Sequence, residues 1–245
     1  MTVLSLDAFH ERLQIEEQMD DFSITDERLR TALDDIRRIN RLLGGYRATF
    51  RVLDPLLDTQ GDLDLIDVGT GSGDYPARLV RRGKHFGTRV EAIGVDLNPA
   101  TVGYGRAWLD THLPPDLRPH ASIEIADALD LPYADDSFDV AHAALFLHHF
   151  HGPDAVQLLR EMNRVSRRGI IVNDLHRHPI AYAGIWALSR LLRMAPMVQH
   201  DGPISVQRGF RRSDLDTLAS AANLSSPSIR WHWAFRWTLS TVPRS

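Results

Sequence analysis

The stretch LDLIDVGTGSGDYPARLV, Leu63 to Val80, decides the fold. An apolar run reads as a buried strand, three glycines follow at Gly69, Gly71 and Gly73, and a helical pattern begins. Alternate glycines let the chain turn sharply and bring backbone N–H groups against a ligand. Nucleotide folds use such a turn where the first strand meets its helix. A dinucleotide loop reads G-x-G-x-x-G, with the pyrophosphate on the helix N-terminus. This loop reads G-x-G-x-G, and Asp74 stands where the last glycine would be. A negative charge there opposes a diphosphate. A ligand with an amino-acid tail and no phosphate suits an acid-rich loop better.

Outward from that loop, strands and helices alternate. VEAIGVDL reads as a strand, and Asn98 with Pro99 then opens a helix. SIEIAD and FDVAHAALFL contain two more strands, PDAVQLLREMNRVSRRG is a helix, and GIIVNDL is a fifth strand. This rhythm implies βαβ units and a parallel sheet with right-handed crossovers. Before the first strand, about sixty residues read as helical: Leu29, Leu33, Ile36 and Leu43 form one apolar stripe, with Thr25 as the expected cap and Gly44-Gly45 as the stop. A second helix is expected over Tyr46 to Leu57. After the fifth strand, HPIAYAGIWALSRLLRM reads as an extra helix, and Ser213 to Asp216 as the cap of another. SIRWHWAFRWTLS alternates, with Trp231, Trp233, Phe235 and Trp237 on one parity, and is expected as one long strand or an antiparallel edge hairpin that serves sheet packing.

Four stretches resemble the class I S-adenosylmethionine (SAM) dependent methyltransferases, in the small-molecule branch near the ubiquinone/menaquinone methyltransferases. IDVGTGSGD is similar to that family's first motif, VDLNP to its second, ADALDLPYADDSFDVA to its adenine segment, and LFLHHF to the segment after strand four. Together they run in order over Leu63 to Val172. The resemblance implies a doubly wound α/β fold with a seven-stranded, mostly parallel sheet whose last strand is antiparallel. It also implies a helical cap over 1–60, a SAM-binding domain over 61–245, and a helical lid insert at about 178–210. The cofactor implied is SAM, with S-adenosylhomocysteine as its product. By the same resemblance Gly69, Thr70, Gly71 and Gly73 pass under the methionine part, and Asp67 faces its ammonium. Asp96 holds both ribose hydroxyls, Leu97 packs on the adenine, and Asp127 with the Ala128 backbone meets the adenine amino group. Arg47 is expected to reach the SAM carboxylate as a bidentate donor.

Substrate classes narrow by what is missing. There is no cysteine, so neither a cytosine-C5 nucleophile nor a thiolate metal site exists. The N/D-P-P-Y/F signature of amino-group methylation is replaced by ALFLHHF. The net charge of −4, without a long basic patch, disfavours nucleic acid. What remains is a small-molecule acceptor, most simply O-methylated at a phenolic, enolic or quinone-like group of secondary metabolism. C-methylation of a quinol-like ring, a SAM-binding accessory protein without methyl transfer, and an NAD(P)-dependent reductase stand as alternatives. Histidines gather where the acceptor should approach, at His148, His149 and His151 after strand four and at His176 and His178 after strand five. His149 and His176 are the expected proton acceptors. No metal is expected, because no acid follows strand four as it does in catechol-type enzymes. The opening MTVLSLDAFHERLQ lacks a signal-peptide pattern, and Arg190 and Arg193 interrupt the most apolar later stretch. A cytoplasmic protein without a membrane span is therefore expected, with a second copy of the chain as another use for the insert's apolar face.

Overall fold

A computed structural model describes residues 9–58 and 61–243. The start of the opening stretch, residues 1–8, lies outside the described residues, as do 59–60, at the expected boundary between cap and sheet. The sheet comprises β1 (Leu63–Val68), β2 (Val90–Asp96), β3 (Ala121–Ile125), β4 (Val140–Ala144), β5 (Ile170–Leu175), β6 (Ser228–His232) and β7 (Arg236–Ser240). Its order is β3-β2-β1-β4-β5-β7-β6. The first five strands pair in parallel, and β7 lies antiparallel between β5 and β6. The Trp-rich tail is thus the hairpin of the two alternatives, with Trp231 directly opposite Trp237.

Helices cover both faces, which explains why β1 reads as a continuous apolar run: Leu63, Leu65, Ile66 and Val68 are all at most 1% exposed. On one face α2 (Gly45–Leu57), α3 (Asp74–Phe86) and α4 (Pro99–His112) bury Leu53, Leu57, Leu79, Val80 and Leu109. On the other, α5 (Gly152–Val165) and α8 (Arg212–Ala221) bury Leu158, Leu159, Met162 and Leu215. Local chemistry sets the helix starts. Asn98 caps α4 by accepting the Ala100 N–H at 2.9 Å, with Pro99 in the first turn. The N–H of Arg211 bonds Asp214 at 2.7 Å, so α8 starts earlier than the Ser213 cap expected from sequence.

A third layer sits over the carboxyl ends of the strands. It contains α1 (Glu27–Leu42), capped by Asp26 rather than Thr25, α6 (Pro179–Leu191) and α7 (Pro196–Arg208). Ala32 and Ile39 of α1 pack on Met194, Ala195, Met197 and Val198. Two features differ from expectation. Between Phe9 and Asp26 the chain is mostly irregular, with a 3₁₀ turn at Gln18–Asp20, and α-helix begins only at Glu27. The insert holds two helices, the second carrying Pro203 in its interior.

Candidate active site

The strand order reverses between β1 and β4, and an α/β sheet opens a crevice at such a point. Here the crevice is a cavity of about 950 Å³. Asp67, Gly69, Thr70, Gly71, Asp96, Leu97, Asp127 and Ala128 all line it. Gly73 does not. Its φ of +73° shapes the turn, and a Cβ there would lie 2.4 Å from Ile123. Gly69 has φ +69°, and a Cβ on it would strike the Phe146 ring at 2.2 Å. The first glycine therefore lets the loop close against the turn that follows β4.

The acids on this wall are held in place. Asp67 is buried. Its Oδ2 accepts the Thr70 hydroxyl at 2.7 Å, and its Oδ1 lies 2.6 Å from His142 Nδ1. His142 Nε2 in turn meets the Thr49 hydroxyl at 3.1 Å. Asp96 accepts the N–H of Asn98 at 3.0 Å and of Gly71 at 3.1 Å. Burial nevertheless pushes its carboxyl above the usual range, with those two N–H groups and His149 pulling the other way. Asp74 is held in the same way. It is buried, it accepts from Ser72 and Tyr46, and burial raises it too. Asp127 is exposed, with Oδ1 accepting the Leu129 N–H at 2.9 Å, and Leu97 is 47% exposed at the cavity edge.

Two residues expected at the site lie elsewhere. Arg47 is exposed and does not line the cavity. A buried cation on the cavity wall is Arg236, whose Nη2 donates to Asn40 at 2.8 Å while Nη1 has no partner among the described residues. His176 also stays off the cavity wall, among His178, Phe235 and Trp237, with its Nδ1 accepting the Trp231 indole N–H at 3.2 Å. Burial, then His178, Arg177 and Arg211, lower its pKa to about 4.

Beyond the glycine loop the cavity becomes apolar. Ile36, Leu43, Ile185, Leu188, Val198 and Phe235 line it from α1, α6, α7 and the β6–β7 hairpin. One side is polar. His148 and His149 form a 3₁₀ turn after β4, and each ring is held by a carboxylate: His148 Nδ1 by Asp174 at 2.8 Å, His149 Nδ1 by Asp20 at 2.7 Å. Glu17 Oε1 lies 3.5 Å from His148 Nε2. Burial disfavours a charged His148, but Asp174 and Glu17 outweigh it and lift the ring to about 9.

Residues 65–169, the span that supplies this loop and crevice, match the methyltransferase domain family. That span is a methyltransferase domain of the class I SAM-dependent type. Its sequence is 37% identical over 113 residues to methyltransferase GfsG of Streptomyces halstedii, covering 46% of this chain and 37% of that protein. It is 36% identical over 126 residues to a demethylmenaquinone methyltransferase of Roseiflexus sp. (strain RS-1), covering 49% of this chain and 47% of that protein. The chain thus spans less than half the length of these two curated relatives. In fold it is similar to an O-methyltransferase family protein from Burkholderia thailandensis, with TM-score 0.65 and 16% identity over 91% of this chain and 62% of that one. The methyltransferase domain accounts for the glycine loop and the crevice. The residues that sequence reasoning missed, Glu17, Asp20, His142 and Arg236, lie outside its motifs or carry no pattern. Only the doubled histidine of LFLHHF signalled the polar wall.

Proposed function

We propose that this chain moves the methyl group of SAM to an oxygen of a small, largely apolar acceptor, of phenolic, enolic or quinone-like type. The observation that carries this reading is the continuity of the cavity. Asp67, Asp96 and the glycine loop form one end, and the apolar chamber under α6 and α7 forms the other. A donor and an acceptor held in one enclosed space need no further activation to meet, and that proximity supplies much of the rate. In this reading Asp96 takes the ribose, Leu97 and Asp127 the adenine, and Asp67 the ammonium. Arg236, not Arg47, faces the methionine carboxylate.

An acceptor hydroxyl must lose its proton as the O–C bond forms and the C–S bond breaks, the electron pair remaining on sulfur. The wall of Glu17, His148 and His149 is where that proton is handled. His149 lines the cavity on that wall, and His176 does not line it. The test is calorimetry with SAM followed by detection of S-adenosylhomocysteine over a panel of phenols, enols and quinols. We expect one SAM per chain and product release with at least one acceptor class. SAM binding without turnover across the panel would leave an accessory protein, and binding of NADH in place of SAM would overturn the reading altogether.

A further inference from the structure

We propose that Glu17, His148 and His149 form a divalent-metal site that grips the acceptor oxygen, an inference that rests on the methyl-transfer reading above. One ligand-capable atom from each of the three residues falls within 4.8 Å of the others. Two come from the turn after β4, and the third comes from the irregular N-terminal segment folded across it.

The surroundings are those of a built site. A metal-ligating histidine as a rule gives its other ring N–H to a carboxylate or carbonyl, which fixes the tautomer and aims the free lone pair. Both rings do so here, through Asp174 and Asp20, leaving Nε2 of each for an ion. Asp174 is itself pinned by the backbone N–H groups of His148 at 3.1 Å and Leu175 at 2.7 Å. Asp20 is fixed by Arg208 Nη1 at 2.8 Å.

Glu17 supplies the independent sign. Its side chain is only 5% exposed. Oε2 receives the Ser205 hydroxyl at 2.8 Å. Oε1 is buried without a hydrogen-bond donor among the described residues; the nearest cations, His148 Nε2 and Arg208 Nη1, stand off at 3.5 and 3.7 Å. A buried anionic oxygen left without a donor is costly, and an ion in the gap removes that cost. The charge balance agrees. When the ion takes the place of the His148 proton and both rings are neutral, the carboxylates of Glu17, Asp20 and Asp174 face the guanidiniums of Arg208 and Arg12, which are already committed to Asp20 and to the carbonyls of His148, His149 and Phe150.

Two imidazoles and one carboxylate suit Zn²⁺, Mn²⁺, Fe²⁺ or Co²⁺ better than Mg²⁺ or Ca²⁺. Three protein ligands leave positions open for substrate. A phenol or enol bound there ionises more readily, its proton passing to water, and the resulting oxyanion is held for attack on the methyl carbon. The ether product and S-adenosylhomocysteine then leave together.

The test uses the untagged chain, stripped with a chelator and titrated with Co²⁺ while its visible ligand-field absorption is followed. The expected result is saturation at one Co²⁺ per chain. Asp20→Asn should weaken binding by about 10- to 100-fold, the cost of losing a group that orients a ligand. Glu17→Gln should weaken it at least as much. SAM affinity, measured on the same samples, should stay within about threefold, which shows that the variants are folded. Equal Co²⁺ affinity in wild type and Glu17→Gln would overturn the site, as would full turnover by the stripped enzyme. If SAM binds but Co²⁺ does not, the metal falls and the transferase stands. If Co²⁺ binds but SAM does not, the transferase reading falls, and with it the role given to the ion.

Discussion

At the scale of single residues, the site rests on a few buried charges whose partners can be named. Asp96 accepts two backbone N–H groups at the lip of the cavity. Asp96→Ala should weaken SAM binding by about 1–3 kcal/mol, read by calorimetry; undiminished affinity would remove Asp96 from the ribose. Gly69→Ala places a methyl on a left-handed residue and into the Phe146 ring. It should cost roughly 1–3 kcal/mol of stability in urea unfolding, and shift the turn that carries the histidines. His148 gives a pH signature in the metal-free protein. Its pKa is raised to about 9 in the folded chain. A raised histidine stabilises fully below the unfolded value near 6.5, and that stabilisation is lost as pH climbs toward 9. Wild type should therefore lose on the order of 2 kcal/mol more than His148→Gln between those limits. Parallel curves for the two proteins would contradict the pairing with Asp174. The same negative surroundings that hold this proton would hold a divalent ion in its place.

At the scale of elements, what was legible depended on whether chain pattern or packing decides. The strands β1 to β5 and the helices α3 to α5 follow from periodicity and caps, because each buries a face against the sheet. Asp67, Asp96 and the glycines were legible for the same reason, being bound to strand ends. Glu17 and Asp20 were not: they sit in an irregular acidic stretch without period, and only its docking against α7 through Asp201, which accepts the N–H groups of Gln18 and Met19, makes them part of a site. Helix α7 was obscured by Gly202-Pro203, which reads as a breaker. Arg47 precedes the sheet in the chain, yet its helix turns it outward, while the β6–β7 hairpin brings Arg236 inward. The same hairpin corrects the reading of the tail as sheet packing alone, since Trp233 to Arg236 line the cavity. Trp233 is 76% exposed. Trp233→Ala should therefore change stability by less than about 0.5 kcal/mol. It should raise KM for the acceptor while SAM affinity holds; a fall in stability with KM unchanged would return the hairpin to a packing role.

At the scale of the whole molecule, a sheet with two covered faces leaves the carboxyl ends of its strands open, and the third layer of α1, α6 and α7 roofs them. Within that roof α6 is thinly anchored: Ile180 and Leu191 are 63% and 79% exposed, and Ser189 alone among the residues of α6 is buried. Among the described residues no helix is long and apolar enough to cross a membrane. A ligand that binds only the folded chain stabilises it by mass action, about 2.7 kcal/mol at a concentration one hundred times Kd. The most direct measurement is therefore calorimetric titration of the chain with S-adenosylhomocysteine and, separately, with NADH. One equivalent of S-adenosylhomocysteine bound, with no heat from NADH and a marked loss of affinity in Asp96→Ala, is the predicted result. No binding of S-adenosylhomocysteine, or its displacement by NADH, would contradict the central claim that this cavity holds a sulfonium methyl donor.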